Sequence, residues 1–254
     1  NIGYQKIGRW YLIRKVEFFP FDTYLVNEGY VRGENPALRW RFKNVFFYYR
    51  NGFETSFRGA KDMGRLQKLL RRNFNSYFAK WVGAAIRSSA DDLLVAVKKT
   101  FSSRENLARY IKQFYASFGS FAAIFQTPEL AQMLTPEKNK RLLYQFGLDR
   151  DYAARQLAKV EHFYRQRLGR LLGISAKDAL NLLPEEVQEA ISKKVFPKDL
   201  KSRRTYAILT LNGKTSIYWN RKADRIFAHE IIRYQKIIRK NELSGQVAYK
   251  GNGK

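Results

Sequence analysis

The sequence predicts an α+β fold, predominantly α-helical with two small β-hairpin units, and three observations carry that expectation. Apolar residues recur at three- and four-residue steps through the middle of the chain, the period of helices with one buried stripe. Two Asn-Gly dipeptides, Asn51-Gly52 and Asn212-Gly213, each stand between β-prone runs. The 254 residues are 45 % hydrophobic and 15 % aromatic, ample for a core, so disorder is excluded as the main description.

From Arg9 to Phe21 the text is aromatic and mixed, with Trp10, Tyr11, Phe18 and Phe19 before Pro20, which suits short strands or irregular backbone better than a helix. Asn44 to Tyr49 is β-prone, Asn51-Gly52 tolerates positive φ at both turn positions, and Glu54 to Phe57 resumes alternation, so a hairpin is expected. Behind it Met63, Leu66, Leu70, Phe74, Tyr77 and Trp81 predict one long helix. Ser102-x-x-Glu105 reads as a capping box, and Leu107, Ile111, Phe114, Phe118, Phe121 and Phe125 predict a helix of about six turns after it. Thr127-Pro128-Glu129 and Thr135-Pro136-Glu137 each set a hydroxyl before a proline, predicting two short helices around Leu130 to Leu143. Asp149 is expected to cap a further helix carrying Tyr152, Leu157, Val160, Leu168 and Leu171 and ended by Gly173.

Ser175-x-x-Asp178 and Pro184-Glu185-Glu186 mark two more short helices, the second with its acids at the positive end of the dipole. Lys193, Lys194, Lys198, Lys201, Arg203 and Arg204 then form a basic connector around Pro197. Thr205 to Leu211 and Lys214 to Trp219 flank the second Asn-Gly turn, and Asn220 is expected to cap a last helix with Ile226, Phe227, Ile231, Tyr234 and Ile238 on one side. The organisation expected is a mixed segment with a hairpin over residues 1–60, a helical core over 61–195, a hairpin plus helix over 196–243, and an extended linker or first strand over 244–254. The two hairpin-then-helix stretches resemble each other only briefly, as a common local solution does.

The charge is the dominant number: 48 Lys+Arg against 22 Asp+Glu, a net +26. Cysteine is absent, which excludes disulfides, Cys-ligated zinc, iron–sulfur clusters and thiol nucleophiles, and fits a reducing compartment. No run approaches the ~20 apolar residues of a membrane span and no signal peptide is evident, so a cytoplasmic protein with no membrane partner is expected. The start at Asn1 and the end at Gly251-Asn252-Gly253-Lys254 read as those of an excerpt.

Candidate chemistry is sparse. His229-Glu230-Ile231-Ile232-Arg233 resembles a zinc-protease helix until Arg233 stands in place of the second ligand, and His162 reads as a helix-surface histidine. Asp91-Asp92, Asp149 with Asp151, and Glu185-Glu186 all read as helix-start acids. No phosphate-cradling glycine pattern and no nucleophile elbow occurs, so neither a catalytic centre nor a cofactor site is expected in this chain. Arg71-Arg72, Lys98-Lys99, Lys193-Lys194 and Arg203-Arg204, with aromatics interleaved, make nucleic acid a possible partner.

The last ninety residues carry a resemblance. Leu171-Leu172-Gly173-Ile174, Ala176-Lys177-Asp178-Ala179-Leu180, Leu183-Pro184-Glu185-Glu186-Val187, a basic connector, a hairpin at Asn212-Gly213, a helix, and Leu243-Ser244-Gly245-Gln246-Val247-Ala248 follow in order. This succession resembles the connecting region of phosphoenolpyruvate-utilising enzymes, the group of phosphoenolpyruvate synthase, pyruvate phosphate dikinase and rifampicin phosphotransferase. There it lies just upstream of a swivelling phosphohistidine domain. The resemblance implies a phosphoryl relay in the parent protein, with ATP and Mg as its cofactors, and an adjacent phosphohistidine domain in the same polypeptide as partner. It also implies a hinge at Ser244, Gly245, Gly251 and Gly253. The family's histidine sits in a Thr-His motif, whereas His162 follows Glu161 and His229 follows Ala228, and the nucleotide-grasping lysines and metal-binding carboxylates have no counterparts, so no catalytic residue is transferred.

The expected function is thus the non-catalytic helical region of a phosphotransferase-like protein, inactive alone. A basic nucleic-acid-binding module is the alternative, and an adaptor with aromatic faces is a third.

Overall fold

The computed structural model describes residues 6–16, 18–50 and 52–233. Six strands form one antiparallel sheet: β1 (Lys6–Ile7), β2 (Trp10–Val16), β3 (Val45–Arg50), β4 (Phe53–Gly59), β5 (Tyr206–Leu211) and β6 (Lys214–Trp219), in the order β1-β2-β4-β3-β5-β6. Both Asn-Gly hairpins form where the sequence predicts them, with Gly52 at φ +87°, Asn212 at +51° and Gly213 at +80°. They are not two separate units, however. β3 pairs with β5, setting Phe47 opposite Ile208 and Tyr49 opposite Tyr206, and the hairpins fuse into one sheet.

The fusion follows from β3 itself. Val45, Phe46, Phe47 and Tyr48 are all buried, so both faces of the strand need cover and it takes a central place. On one face Val45, Phe47, Tyr206 and Ile208 join the main helical core. On the other, Trp10, Phe46, Phe57, Ala207 and Leu209 pack with Ala223 and Ile231 of the last helical segment.

The helices are α1 (Pro20–Val31), α2 (Ala60–Asn73), α3 (Ser76–Thr100), α4 (Arg104–Phe125), α5 (Thr127–Leu134), α6 (Lys140–Leu172), α7 (Ala176–Leu180), α8 (Pro184–Lys193) and α9 (Asn220–Phe227), the last continuing as a π turn over Ala228–Ile232. The architecture is mixed α+β and mostly helical. Gly173 ends α6 at φ +75°, Ser175 caps α7 by accepting from the Asp178 amide at 3.0 Å, and Pro184 opens α8, all as expected.

Several expectations are corrected. The helix read from Met63 to Trp81 is two, because Phe74 turns extended and Asn75 caps α3 by accepting from the Phe78 amide at 2.9 Å; Phe74 and Phe78 then both pack against Phe146. Ser103, not Ser102, caps α4, accepting from the Asn106 amide at 3.1 Å, while the Ser102 hydroxyl donates to the Lys99 carbonyl. The Thr127 hydroxyl accepts from Asn35 Nδ2 at 2.7 Å instead of capping α5, and Thr135-Pro136-Glu137 is a turn in which Thr135 donates back to the Ala131 carbonyl. α6 starts at Lys140 behind an Asn139 cap, which leaves Asp149 in mid-helix. Asn220 accepts from the Arg204 amide at 2.9 Å and so ties the two ends of the second hairpin rather than capping α9.

Among the described residues no helix is long and apolar enough to cross a membrane. Tyr234, Ile238 and the expected hinge residues Ser244, Gly245, Gly251 and Gly253 lie outside the described residues.

Candidate functional site

The residues singled out for chemistry are spent on structure. His162 lies exposed on α6 with Nε2 at 2.9 Å from Gln166 Nε2, and His229 lies in the π turn with Nδ1 at 3.2 Å from Glu230 Oε1. Asp91 sits in the middle of α3, not at a helix start, and accepts from the Tyr152 hydroxyl at 2.8 Å. Asp149 accepts from Arg87 Nε at 2.5 Å across the α3–α6 contact, and Asp151 faces Arg150 at 3.9 Å. Glu185 and Glu186 do occupy the first turn of α8, where Glu185 accepts from the Tyr24 hydroxyl at 2.6 Å. Among the described residues no three His, Asp or Glu side chains gather as a metal site.

The basic doublets are likewise partly engaged. Arg71 pairs with Glu137 at 3.2 Å, Lys193 with Glu189 at 3.7 Å, and Lys99 lies over the Tyr110 ring at 3.8 Å. Arg203, read from sequence as a phosphate contact, is buried against Glu186 and Asp199 and covers the Trp219 ring at 4.1 Å.

A buried polar cluster escaped the sequence reading. Asp22, Thr23, Glu54 and Tyr206 are at most 1 % exposed. Thr23 Oγ1 donates to Glu54 Oε2 and stands beside the Tyr206 hydroxyl, which donates to the same carboxylate oxygen at 3.2 Å. Asp22 accepts from Arg165 at 2.8 Å and from the Phe19 amide at 3.1 Å. Burial, reinforced by Glu54, pushes the Tyr206 phenol well up. Sealed from solvent, the cluster joins α1 to β4 and β5 rather than offering groups to a substrate. Arg58 is equally buried, stacked over Tyr30 at 4.4 Å and donating to Gln126 Oε1 at 3.0 Å.

The most distinctive arrangement outside that cluster lies where the last described helix meets the sheet, with half-exposed Arg9 on buried Glu230 and Trp10. Arg9, just before β2, donates to Glu230 Oε2 from Nε at 3.0 Å and from Nη2 at 2.5 Å, and Trp10 Nε1 donates to the same oxygen at 3.0 Å. Burial pushes the Glu230 carboxyl up, but the bonds from Arg9 and Trp10 outweigh it and hold the group below its usual range. Trp10 is fully buried, so this carboxylate fixes the π turn to the rigid edge of the second core. Phe227 completes the attachment, stacked on Tyr48 with ring centroids 4.0 Å apart. The isolated match to a zinc-protease helix therefore marks an anchor, with Glu230 as its chemistry and His229 as its rim. No protein-family model, curated protein or solved structure matches the chain.

Proposed function

We propose that this chain is the non-catalytic helical region that carries a phosphohistidine swivelling domain in a phosphoenolpyruvate-utilising, phosphotransferase-like protein. The observation that carries the reading is the anchor of Glu230 on Arg9 and Trp10. A mobile domain needs a fixed base ahead of the point from which it departs, and the segment resembling the family's hinge begins at Ser244, eleven positions after Arg233 in sequence. The order of motifs from Leu171 to Ala248 supports the same reading. The hydrogen bonds of His162, His229, Asp91, Asp149, Glu185 and Glu186 to neighbouring groups of the fold fit a region whose parent keeps its chemistry elsewhere.

The test is the native gene product. Its intact mass is measured, and it is incubated with radiolabelled ATP or phosphoenolpyruvate and Mg before acid-labile phosphate is mapped to peptides. The expected result is a product longer than these 254 residues with label on a histidine beyond Lys254. A product ending at Lys254, or label on His162 or His229, overturns the proposal.

A further inference from the structure

A cleft of about 410 Å³ opens beside the anchor, lined by Lys6, Gly8, Arg9, Trp10, Asn44, Gly59, Ala60, Lys61, Leu211 and Asn212. That size falls in the range of about 300–1,000 Å³ usual for small-molecule sites. Its lining holds three cations and no carboxylate. We infer that this cleft binds a small phosphate-class dianion, such as inorganic phosphate or a phosphomonoester, through Lys6, Lys61 and Arg9. The inference stands independently of the carrier reading.

Three features of the walls select such a ligand. First, Lys6 and Lys61 make no ion pair among the described residues, although the protein has acids that pair with other lysines and arginines. The nearest acid in sequence, Asp62, does not line the cleft; it accepts from the Lys43 and Asn44 amides and from Asn44 Nδ2. Second, Arg9 is held in place. Glu230 takes Nε and Nη2, and a guanidinium has further N–H donors to offer, so the carboxylate orients Arg9 without exhausting it. Third, α2 has no side-chain cap at residue 59, and its first amide, Ala60, donates instead to the Arg9 carbonyl at 2.7 Å. Gly59 precedes α2, and a Cβ there would lie 2.7 Å from Asn44 Cβ, so a Ser, Thr or Asp cap is shut out.

Two lysines and an arginine oriented by Glu230, all lining one concave space, suit a dianion with several acceptor oxygens. They suit an extended polyanion less, because the three residues line a single cleft. The +26 of the whole chain raises the local concentration of any anion, but it does not choose this cleft over the rest of the surface.

Inorganic phosphate is titrated into the full chain in phosphate-free buffer near pH 7.5, followed by calorimetry and by the phosphorus resonance. Lys6→Ala/Lys61→Ala is compared with Lys68→Ala/Lys80→Ala, two exposed lysines on α2 and α3 that lie outside the cleft. All four side chains are solvent-exposed, so circular dichroism should show both variants folded. Saturable binding with one equivalent, weakened at least about tenfold in the cleft pair and unchanged in the control pair, is the expected result. Three results overturn the inference: no saturable binding, an equal loss in both lysine pairs, or a single-stranded oligonucleotide that binds equally well to the wild type and to the cleft pair and displaces phosphate.

Discussion

Arg203 presents both arms of its guanidinium to Glu186, with Nη1 2.6 Å from Oε2 and Nη2 2.6 Å from Oε1. The Arg203 side chain is 4 % exposed, and Nη1 also donates to the Asn181 carbonyl at 3.0 Å. The pair thereby ties the basic connector to α8 and, through Trp219, to β6. Arg203→Ala strands a mostly buried carboxylate and should cost about 3–5 kcal/mol in urea unfolding. Arg203→Lys keeps the charge but loses the fork and should cost less. A loss below about 1 kcal/mol for the alanine variant would show that the pair merely breaks even.

Gly29 and Gly119 face each other where α1 crosses α4, and the two should respond oppositely to a methyl group. A Cβ on Gly29 would meet the Gly119 carbonyl oxygen at 2.5 Å and Ala122 Cβ at 2.6 Å, so Gly29→Ala should destabilise by about 1–3 kcal/mol. A Cβ on Gly119 would find its nearest neighbour at 3.8 Å, an ordinary contact. Gly119→Ala should therefore be neutral or stabilise by up to about 1 kcal/mol through helix propensity. Equal thermal shifts in the two variants would contradict this asymmetry.

Glu230 and Asp22 are buried acids displaced in opposite directions, so they should shape the acid limb of stability with opposite signs. Glu230 is held below its usual 4.5 because hydrogen bonds from Arg9 and Trp10 outweigh its burial. Its contribution is complete above 4.5 and drains away as pH falls through the native value. For Asp22, burial prevails over Arg165 and the Phe19 amide and keeps the carboxyl above its usual 3.8. Its ionised form is therefore penalised, and lowering the pH from the native value toward 3.8 adds stability. In urea midpoints measured across pH, Glu230→Gln should flatten the fall below 4.5, and Asp22→Asn should remove the gain above 3.8. Curves parallel to wild type would refute both assignments.

Asp62, 1 % exposed, accepts through one oxygen from the Lys43 amide at 3.0 Å and the Asn44 amide at 2.7 Å. Asn44 in turn accepts from the Asn212 amide at 3.2 Å, so one carboxylate holds the start of β3, at the open end of the first hairpin, against the turn of the second. Asp62→Ala should cost about 2–3 kcal/mol, and Asp62→Asn, which retains an acceptor, should cost less. The same midpoint for both variants would mean that the acceptor is not what holds the loop.

What the sequence made legible was local. The Asn-Gly turns, Gly173, Ser175 and Pro184 declare themselves because the conformation each requires is written in one or two residues. α1 stayed hidden for the opposite reason: every one of its residues except Glu28 is buried, so it has no apolar stripe and no helical period to read. The 63–81 helix was overextended because Phe74 and Phe78 keep helical spacing across a break and pack on the same ring, Phe146. The anchor was half visible. His229-Glu230 attracted attention as a metal motif, but its partners Arg9 and Trp10 lie more than two hundred residues away in sequence, where spacing carries no information. Arg203 was misread because a buried arginine and a solvated one look the same until their neighbours are known.

The pairing of β3 with β5 also constrains how the molecule can assemble. β4 can fold back on β3 as soon as both exist, but β5 reaches the same strand only after all the chain between Gly59 and Tyr206 has been made. Closing a loop of that length costs about 4 kcal/mol of chain entropy before any contact repays it. Local helical contacts form faster than pairings of such sequence separation, so completion of the sheet's centre is expected to follow the intervening helices. Until then the open edge of β3, with Phe46 and Phe47 beside it, is an unpaired apolar strand, and on the ribosome that interval is when self-association is most to be expected.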